Sequence, residues 1–271
     1  MRLLLVRHGE SVDNVAGLYA GSRDSSLTNH GVLQAQRLGQ HIASRSTTLG
    51  PIHRIFASNL QRAYRTAEAI ADACRHQDGD STSSVTFDVT RVDELREKDF
   101  GSTEGKKFGT KENENDSESP EYMRLRIDRF LDHHLGPIVD QFIAGNAVVV
   151  VVAHGIILNV LLKALLSRYP PKSTSSQLIG ERPGSEYLAA WSNTGVLQAR
   201  LELSANDTMS QSPSTKMIHM VVEHTNNVDH LQGLKKTRGG IGSAKFDSRQ
   251  RTVDSFFVST SRKRKHDGTE D

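Results

Sequence analysis

Three short stretches place chemically capable side chains directly after apolar runs. Arg7-His8 follows residues 3–6, the segment Ser58 to Arg62 follows residues 52–57, and His154-Gly155 follows residues 147–153. Two guanidiniums and two imidazoles with an acid nearby make a site for a phosphate dianion. Guanidinium stays charged at any useful pH and can donate two hydrogen bonds to phosphate oxygens. A neutral imidazole can attack phosphorus and carry the phosphoryl group, which splits hydrolysis into two easier steps. Cations then stabilise charge on the equatorial oxygens, and helix N-termini near Gly9 and Ser58 add backbone N–H donors. An acid must protonate the leaving oxygen and later take a proton from the attacking water. Taken singly, a His after a strand is more often structural, and an Arg on a first helical turn is mostly solvated. It is the convergence of the three stretches that points to chemistry. The other histidines, His133-His134 and His230 among them, lack partners in the pattern and read as surface residues. No Cys/His/Asp spacing matches a metal site, so neither a metal nor another cofactor is expected.

The elements that must position these residues are legible from periodicity. Residues 3–6 read as a buried strand, and Thr28 as the N-cap of a helix with Val32, Ala35, Leu38 and Ile42 on one face. Residues 52–57 read as a second strand. Ser58 then caps a helix whose apolar stripe runs Leu60, Ala63, Ala67, Ile70, Ala71 and Cys74. A third strand is expected at 85–89 and a polar, mobile loop at 106–120. A long helix from Glu121 follows, with Tyr122, Leu125, Leu131, Leu135, Ile138 and Phe142 as its apolar positions. Five consecutive valines within 147–153 imply a central strand covered on both faces. A helix at 156–166 and late strands within 186–203 and 216–222, an antiparallel edge pair, complete the domain. This alternation predicts an α/β fold, a sheet covered on both sides, with ligands beyond the carboxyl ends of the strands.

The chain has 271 residues, 36% hydrophobic and 24% charged, as ordinary globular proteins do. The longest apolar run, 147–153, is too short to span a bilayer, and no cleavage site follows the apolar N-terminus. No membrane association is expected. A single Cys, Cys74, excludes an internal disulfide and fits an intracellular compartment; on its helix it reads as a small core residue. The net charge of +2 conceals an uneven distribution: residues 231–271 hold ten Lys/Arg against five acids, +5, which leaves −3 for the rest. A nucleic-acid-binding domain is thereby disfavoured, and a basic interaction or address tail is indicated. Apolar content collapses from about residue 225, so the domain is expected at 1–224 and a disordered tail at 225–271.

Leu5-Val6-Arg7-His8-Gly9-Glu10-Ser11 resembles the signature of the histidine phosphatase superfamily, also called phosphoglycerate-mutase-like. Asn14 matches a phosphate-loop Asn of that family, and Tyr19-Ala20-Gly21, Leu27-Thr28, Gly31, Gln34 and Ala35 resemble its loop and first helix. Ser58, Leu60, Arg62, Ala63, Thr66 and Ala67 resemble its phosphate-contacting helix, and Leu95, Glu97, Phe100, Gly101, Glu104 and Gly105 the stretch that carries its proton donor. Glu118-Ser119, Arg126 and Phe130 resemble the start of its long helix; Val150 to Gly155 resembles the strand with its second His, and Asn193-Thr194-Gly195 its late strand-pair motif. The resemblance covers residues 1 to about 223. It implies a three-layer α/β/α sandwich with a mostly parallel central sheet and a phosphohistidine on His8. Arg7, Arg62 and His154 would bind the phosphoryl group, Glu97 would be the general acid/base, and Asn14, Gly21 and Gly155 would line the substrate site. No metal is required by that chemistry. The family's glycolytic mutases carry an Arg pair and prolines after the catalytic Glu. Here that region is the acidic loop 110–120 without such a pair, so a phosphatase acting on a small phosphorylated molecule or a phosphoprotein is expected. The acidic loop would disfavour highly anionic substrates, and Ile156 suggests an apolar wall.

The tail carries two further patterns. Gln250, Val253, Phe256 and Phe257 follow the spacing of the box by which replication and repair proteins bind the sliding clamp, proliferating cell nuclear antigen. One helical turn puts the three apolar side chains on one side as a plug, with Gln250 as polar anchor. The plainer alternatives are a chance pattern or two Phe packed back on the domain. Arg262-Lys263-Arg264-Lys265 resembles a nuclear import signal, whose alternative is a solvated charge run. Together they predict a nuclear protein, otherwise a cytoplasmic one. Two competing readings remain: a phosphoglycerate-type mutase, and an adaptor whose domain has become a binding module.

Overall fold

The structure is a computed structural model that describes residues 1–77, 88–111, 116–171, 189–204, 217–236 and 241–247. The clamp-binding-like box at 250–257 and the import-like run at 262–265 lie outside the described residues.

A six-stranded sheet is built from β1 (Arg2–Arg7), β2 (Ile52–Ser58), β3 (Val89–Val92), β4 (Val148–Ala153), β5 (Val196–Leu203) and β6 (Ile218–Asn227), in the spatial order β3-β2-β4-β1-β5-β6. The pairs β1/β4, β2/β4 and β2/β3 are parallel, and β5 is antiparallel to both β1 and β6. Helices α1 (Val12–Ala16), α2 (Asn29–Ser44), α3 (Ser46–Leu49), α4 (Gln61–Gln77), α5 (Pro120–Phe130), α6 (Gly136–Phe142) and α7 (Gly155–Arg168) connect them. Alternation along the central strands sorts the core into two layers. Leu4, Val6, Val148, Val150 and Val152 pack with α2 and α4, while Leu3, Leu5, Val149, Val151 and Ala153 pack with α5, α6 and α7. The expected three-layer α/β/α sandwich with a mostly parallel sheet is what forms. All six residues of β4 are buried, which is why both faces of that strand can be valine.

Local signals set several boundaries. Thr28 caps α2, its hydroxyl accepting the Gly31 N–H at 3.0 Å. Ser119 caps α5 with Pro120 in the first turn, where a missing N–H costs nothing. Ser58 is not the N-cap of α4, because the helix starts at Gln61, whose N–H is accepted by Asp24 Oδ1 at 2.6 Å.

Other expectations are corrected. The third strand is described over Val89–Val92, three residues beyond the expected end at 89, and residues 85–87 of the expected span lie outside the described residues. The stripe on the long helix is out of phase at its start: Met123, Arg126, Ile127 and Phe130 are buried, whereas Tyr122 and Leu125 are exposed. Downstream, a π-helical turn at Leu131–Leu135 joins α5 to α6 and shifts the phase again. The start of the 106–120 loop is hydrogen-bonded to the domain: Tyr19 donates to Lys106 O at 2.9 Å and Phe108 to Gly17 O at 2.9 Å. The break placed at residue 225 falls inside β6, which runs to Asn227. Beyond it, Asp229–Leu231 form a 3-10 turn, and Ala244 and Phe246 hydrogen-bond to Asn29 and Leu27. Few apolar residues are needed there, because backbone pairing and side-chain polar bonds hold this segment.

Leu5 lies wholly inside the sheet, while Leu33 on α2 is 49% exposed. Leu5→Ala should therefore cost about 2–5 kcal/mol and Leu33→Ala no more than about 0.5 kcal/mol, read from urea unfolding midpoints. Equal losses would contradict the layer assignment.

Candidate functional site

Strand order brings the three stretches together. β1 and β4 are neighbours in register, with Arg7 opposite Ala153, and β2 lies against the other edge of β4. His8 and His154, which follow β1 and β4, and Ser58, the last residue of β2, thus meet at the carboxyl edge of the sheet. The rings of His8 and His154 are 5.0 Å apart, centre to centre.

His8 is buried, and its Nδ1 stands 2.6 Å from the carbonyl of Gly9. A carbonyl can only accept, so Nδ1 carries the proton and Nε2 keeps its lone pair. Burial first, and then the charges of Arg62 and Arg7, hold the His8 pKa well below 6.5. The ring is therefore neutral at neutral pH, with an unprotonated Nε2. His154 is buried as well, and its pKa is also well below 6.5, from burial and then from Arg62. Arg62 Nε donates to its Nδ1 at 3.2 Å, which leaves Nε2–H facing Ser58 Oγ at 2.9 Å. Both of its ring nitrogens are thus engaged. To touch a phosphoryl oxygen directly, its Nε2–H must leave Ser58.

Arg62 is almost fully buried and is satisfied by the carbonyls of Arg23 at 2.6 Å and Gly21 at 2.7 Å. Burial lowers its pKa to about 10, with Glu97 the leading charge opposing that shift, so it stays cationic at neutral pH. Arg7 donates through Nη1 to Trp191 O at 2.6 Å, but its buried Nε has no partner among the described residues. A buried unpaired guanidinium N–H costs stability unless an anion takes it up. Gly155 flanks that nitrogen: a Cβ built there would stand 4.0 Å from it.

Glu97 is held by backbone. Its Oε2 accepts from Ile156 at 3.1 Å, and its Oε1 accepts from Ile157 and Lys98 at 3.0 Å each. His154, the residue before α7, makes no side-chain cap, so the carboxylate of Glu97 satisfies that helix N-terminus from a distant loop. Asn14 lies one layer behind the nucleophile: its Oδ1 accepts from Asn193 Nδ2 at 3.1 Å, and the same amide donates to His8 O at 3.2 Å. Gly21 adopts φ +47°, and an added Cβ would lie 2.2 Å from Glu104 Oε1, so only glycine fits where Arg62 is held. The residues expected to be catalytic, His8, Arg7, Arg62, Glu97 and His154, are thus brought together at the carboxyl edge of the sheet, with Gly21 and Gly155 beside the guanidiniums.

Several contributors escaped the sequence reading. Arg126 is wholly buried, pairs with Glu118 Oε1 at 2.7 Å and Oε2 at 2.9 Å, and donates to the carbonyls of Glu94, Arg96 and Glu97. It clamps the loop that carries Glu97; an Arg flanked by Met123, Ile127 and Phe130 on an apolar face was the available signal. Ser58, read as a cap, is the partner of His154. His230 is not a surface residue: it is buried against Thr194. Glu10, inside the signature, points away from the nucleophile and accepts from Thr28 Oγ1 at 2.8 Å. Among the described residues, no group of three or more His, Cys, Asp or Glu could hold a metal ion, and no helix is long and apolar enough to cross a membrane.

Comparisons with known proteins agree with this arrangement. Residues 3–178 match the model of the histidine phosphatase superfamily (branch 1). A probable phosphatase of Schizosaccharomyces pombe is 29% identical over 263 residues, 93% of this chain and 78% of that protein. A probable phosphoglycerate mutase of Erwinia tasmaniensis is 33% identical over 183 residues, 61% of this chain and 75% of that protein. A phosphoglycerate mutase structure from Bacillus anthracis superposes with a TM-score of 0.59 at 18% identity, covering 86% of this chain and 95% of that one. A mycobacterial glucosyl-3-phosphoglycerate phosphatase bound to VO3 gives a TM-score of 0.59 at 21% identity, covering 83% and 98%. The chain belongs to the histidine phosphatase superfamily.

Proposed function

We propose that the protein is a phosphatase that hydrolyses phosphomonoesters through a phosphohistidine on Nε2 of His8. The observation that carries this reading is a neutral, tautomer-fixed imidazole near the charges of a buried Arg62 and a part-buried Arg7, whose buried Nε has no partner among the described residues. A phosphoryl group entering there would take hydrogen bonds from Arg7 and Arg62, replacing the carbonyls that Arg62 now uses. Attack by Nε2 forms the N–P bond as the P–O bond to the leaving group breaks. Glu97 in its protonated form gives its proton to the leaving oxygen and is left as the carboxylate. In the second step the carboxylate takes a proton from water, which attacks phosphorus and releases His8 and inorganic phosphate. The proton of His8 stays on Nδ1, donated to Gly9 O throughout, so the charge of the phosphohistidine is met by backbone.

The match to the fission-yeast phosphatase over most of this chain supports hydrolysis over transfer. A mutase reading is favoured by the Erwinia relative, but the segment after Glu97 lacks the paired Arg that a second phosphate or a carboxylate would need. Apolar side chains are exposed nearby: Phe108 is 58% exposed and meets Tyr19 edge-on, and Ile156 is 37% exposed beside the Glu97 carboxylate. This composition favours a leaving group of low charge. For the tail, the spacing of Gln250, Val253, Phe256 and Phe257 supports docking to the sliding clamp, and the basic run at 262–265 supports nuclear import.

Wild-type protein should release phosphate from an aryl phosphate and trap acid-labile phosphate, while His8→Ala should lose a factor of about 10³ or more in turnover. Equal release by both proteins would exclude the mechanism, and bisphosphate-dependent isomerisation with little free phosphate would favour the mutase. Because the His8 pKa lies well below 6.5, the nucleophile stays neutral as pH falls through that value. With substrate ionisation corrected, kcat/KM should hold or rise on the acid side; a loss centred near 6.5 would show that an ordinary histidine controls the rate. A fluorescent fusion should leave the nucleus when Arg262 to Lys265 are replaced by Ala, and one that is cytoplasmic in both forms would count against the import reading.

A further inference from the structure

The chain that follows β6 lies outside the span matched by the family model, yet it returns to the nucleophile. His230 sits in the 3-10 turn Asp229–Leu231 and is 8% exposed. Its Nε2 is 2.9 Å from Thr194 Oγ1, and that hydroxyl donates onward to Asn193 O at 2.7 Å. Thr194 Oγ1 has therefore used its proton and accepts from His230 Nε2–H. Burial lowers the His230 pKa to about 4, so the ring is neutral and has one proton to place.

Thr194 in turn holds the catalytic segment. Its backbone N–H donates to Arg7 O at 3.0 Å and to His8 O at 3.2 Å. It does so from φ +57°, a left-handed conformation uncommon for a β-branched residue, which must be held by its surroundings. The same turn is braced from β6 by Asn226, whose Oδ1 accepts from Ser192 N at 2.7 Å. Two further ties hold the returning chain, one to the loop after His8 and one to α2. Lys236 pairs with Glu10, and Arg37 on α2 donates to Gln232 O at 2.9 Å.

We propose that residues 227–236 form a positioning strap for the nucleophile, in which His230 acts through Thr194 to fix the backbone of Arg7 and His8. His230 touches no substrate; it is a positioning residue. The strap sets how accurately His8 Nε2 and the Arg7 guanidinium face one phosphoryl group. Small displacements of such groups lower rate far more than they lower stability. This proposal rests on the phosphohistidine reading, so its test includes a measurement that needs no turnover.

The experiment uses the full chain as wild type, His230→Leu and His230→Gln, the last keeping an N–H donor at a similar reach. For each, kcat and KM on an aryl phosphate, the Kd of orthovanadate and Tm are measured. The Leu variant, folded at the assay temperature, should lose about tenfold in kcat with a smaller change in KM and a weaker Kd for orthovanadate. The Gln variant should recover to within about threefold of wild type in both readouts. A Leu variant equal to wild type in kcat and Kd overturns the strap, and so does a Gln variant that falls as far as Leu. If Leu does not fold, His230→Asn, whose amide stops short of Thr194, takes its place with the same outcomes. A wild type that binds orthovanadate without turning over sinks the phosphohistidine reading alone, and the Kd series then decides the strap. One that does neither overturns both.

Discussion

A buried guanidinium, Arg62, and a part-buried one, Arg7, beside two buried imidazoles place a severe electrostatic demand on this fold. Removing a cation from water costs several kcal/mol even after relaxation, and nearby neutral rings return little of it. The chain answers with oriented backbone: the carbonyls of Arg23 and Gly21 serve Arg62, and that of Trp191 serves Arg7. Glu97 is the one acid whose charge opposes the loss of proton affinity at both Arg7 and Arg62. Among the described residues the buried Nε–H of Arg7 has no acceptor, the kind of donor whose burial is costly unless it is paired. The same cations and the same burial keep His8 and His154 uncharged, so one constraint sets both the anion affinity and the nucleophile's protonation state.

Orientation depends on contacts from distant parts of the chain. The nucleophile's tautomer follows from the adjacent Gly9 carbonyl, a local effect. The position of Glu97 does not: its carboxylate occupies the N-terminus of α7, and its loop is clamped by Arg126, itself paired with Glu118. The helix N-terminus and the acid thus satisfy one another, and the loop cannot move without exposing either Arg126 or the first turn of α7. On the opposite side, Thr194 and Asn193 hold the backbone of Arg7 and His8, with the chain after β6 behind them. The site is suspended between two braces that enter from different layers.

Much of this was readable before any coordinates. Residues 3–6 and 147–153 are apolar without alternation, which requires strands buried on both faces, and Thr28 stands where a helix must be capped. Those features, with the rule that ligands gather at strand carboxyl ends, already grouped Arg7, His8, Arg62 and His154. Errors arose where a local pattern was ambiguous. Tyr122 and Leu125 are apolar but exposed, while Arg126 is charged but buried, because its charge is met by Glu118 and three carbonyls rather than by water. The described residues after 225 have little to bury, and polar and backbone bonds that composition does not record hold them to the domain.

The sequence by itself determined the elements, the caps and the residue types available for phosphoryl chemistry, because these follow from short-range periodicity and intrinsic side-chain properties. Tertiary structure alone decided which groups are partners: Ser58 with His154, Glu97 with the start of α7, Arg126 with the Glu97 loop, His230 with Thr194. Each joins residues separated by tens to nearly a hundred positions through one or two directional hydrogen bonds. Such bonds leave no periodic trace in a sequence, since their geometry is fixed only when strand order and layer packing bring the two ends together.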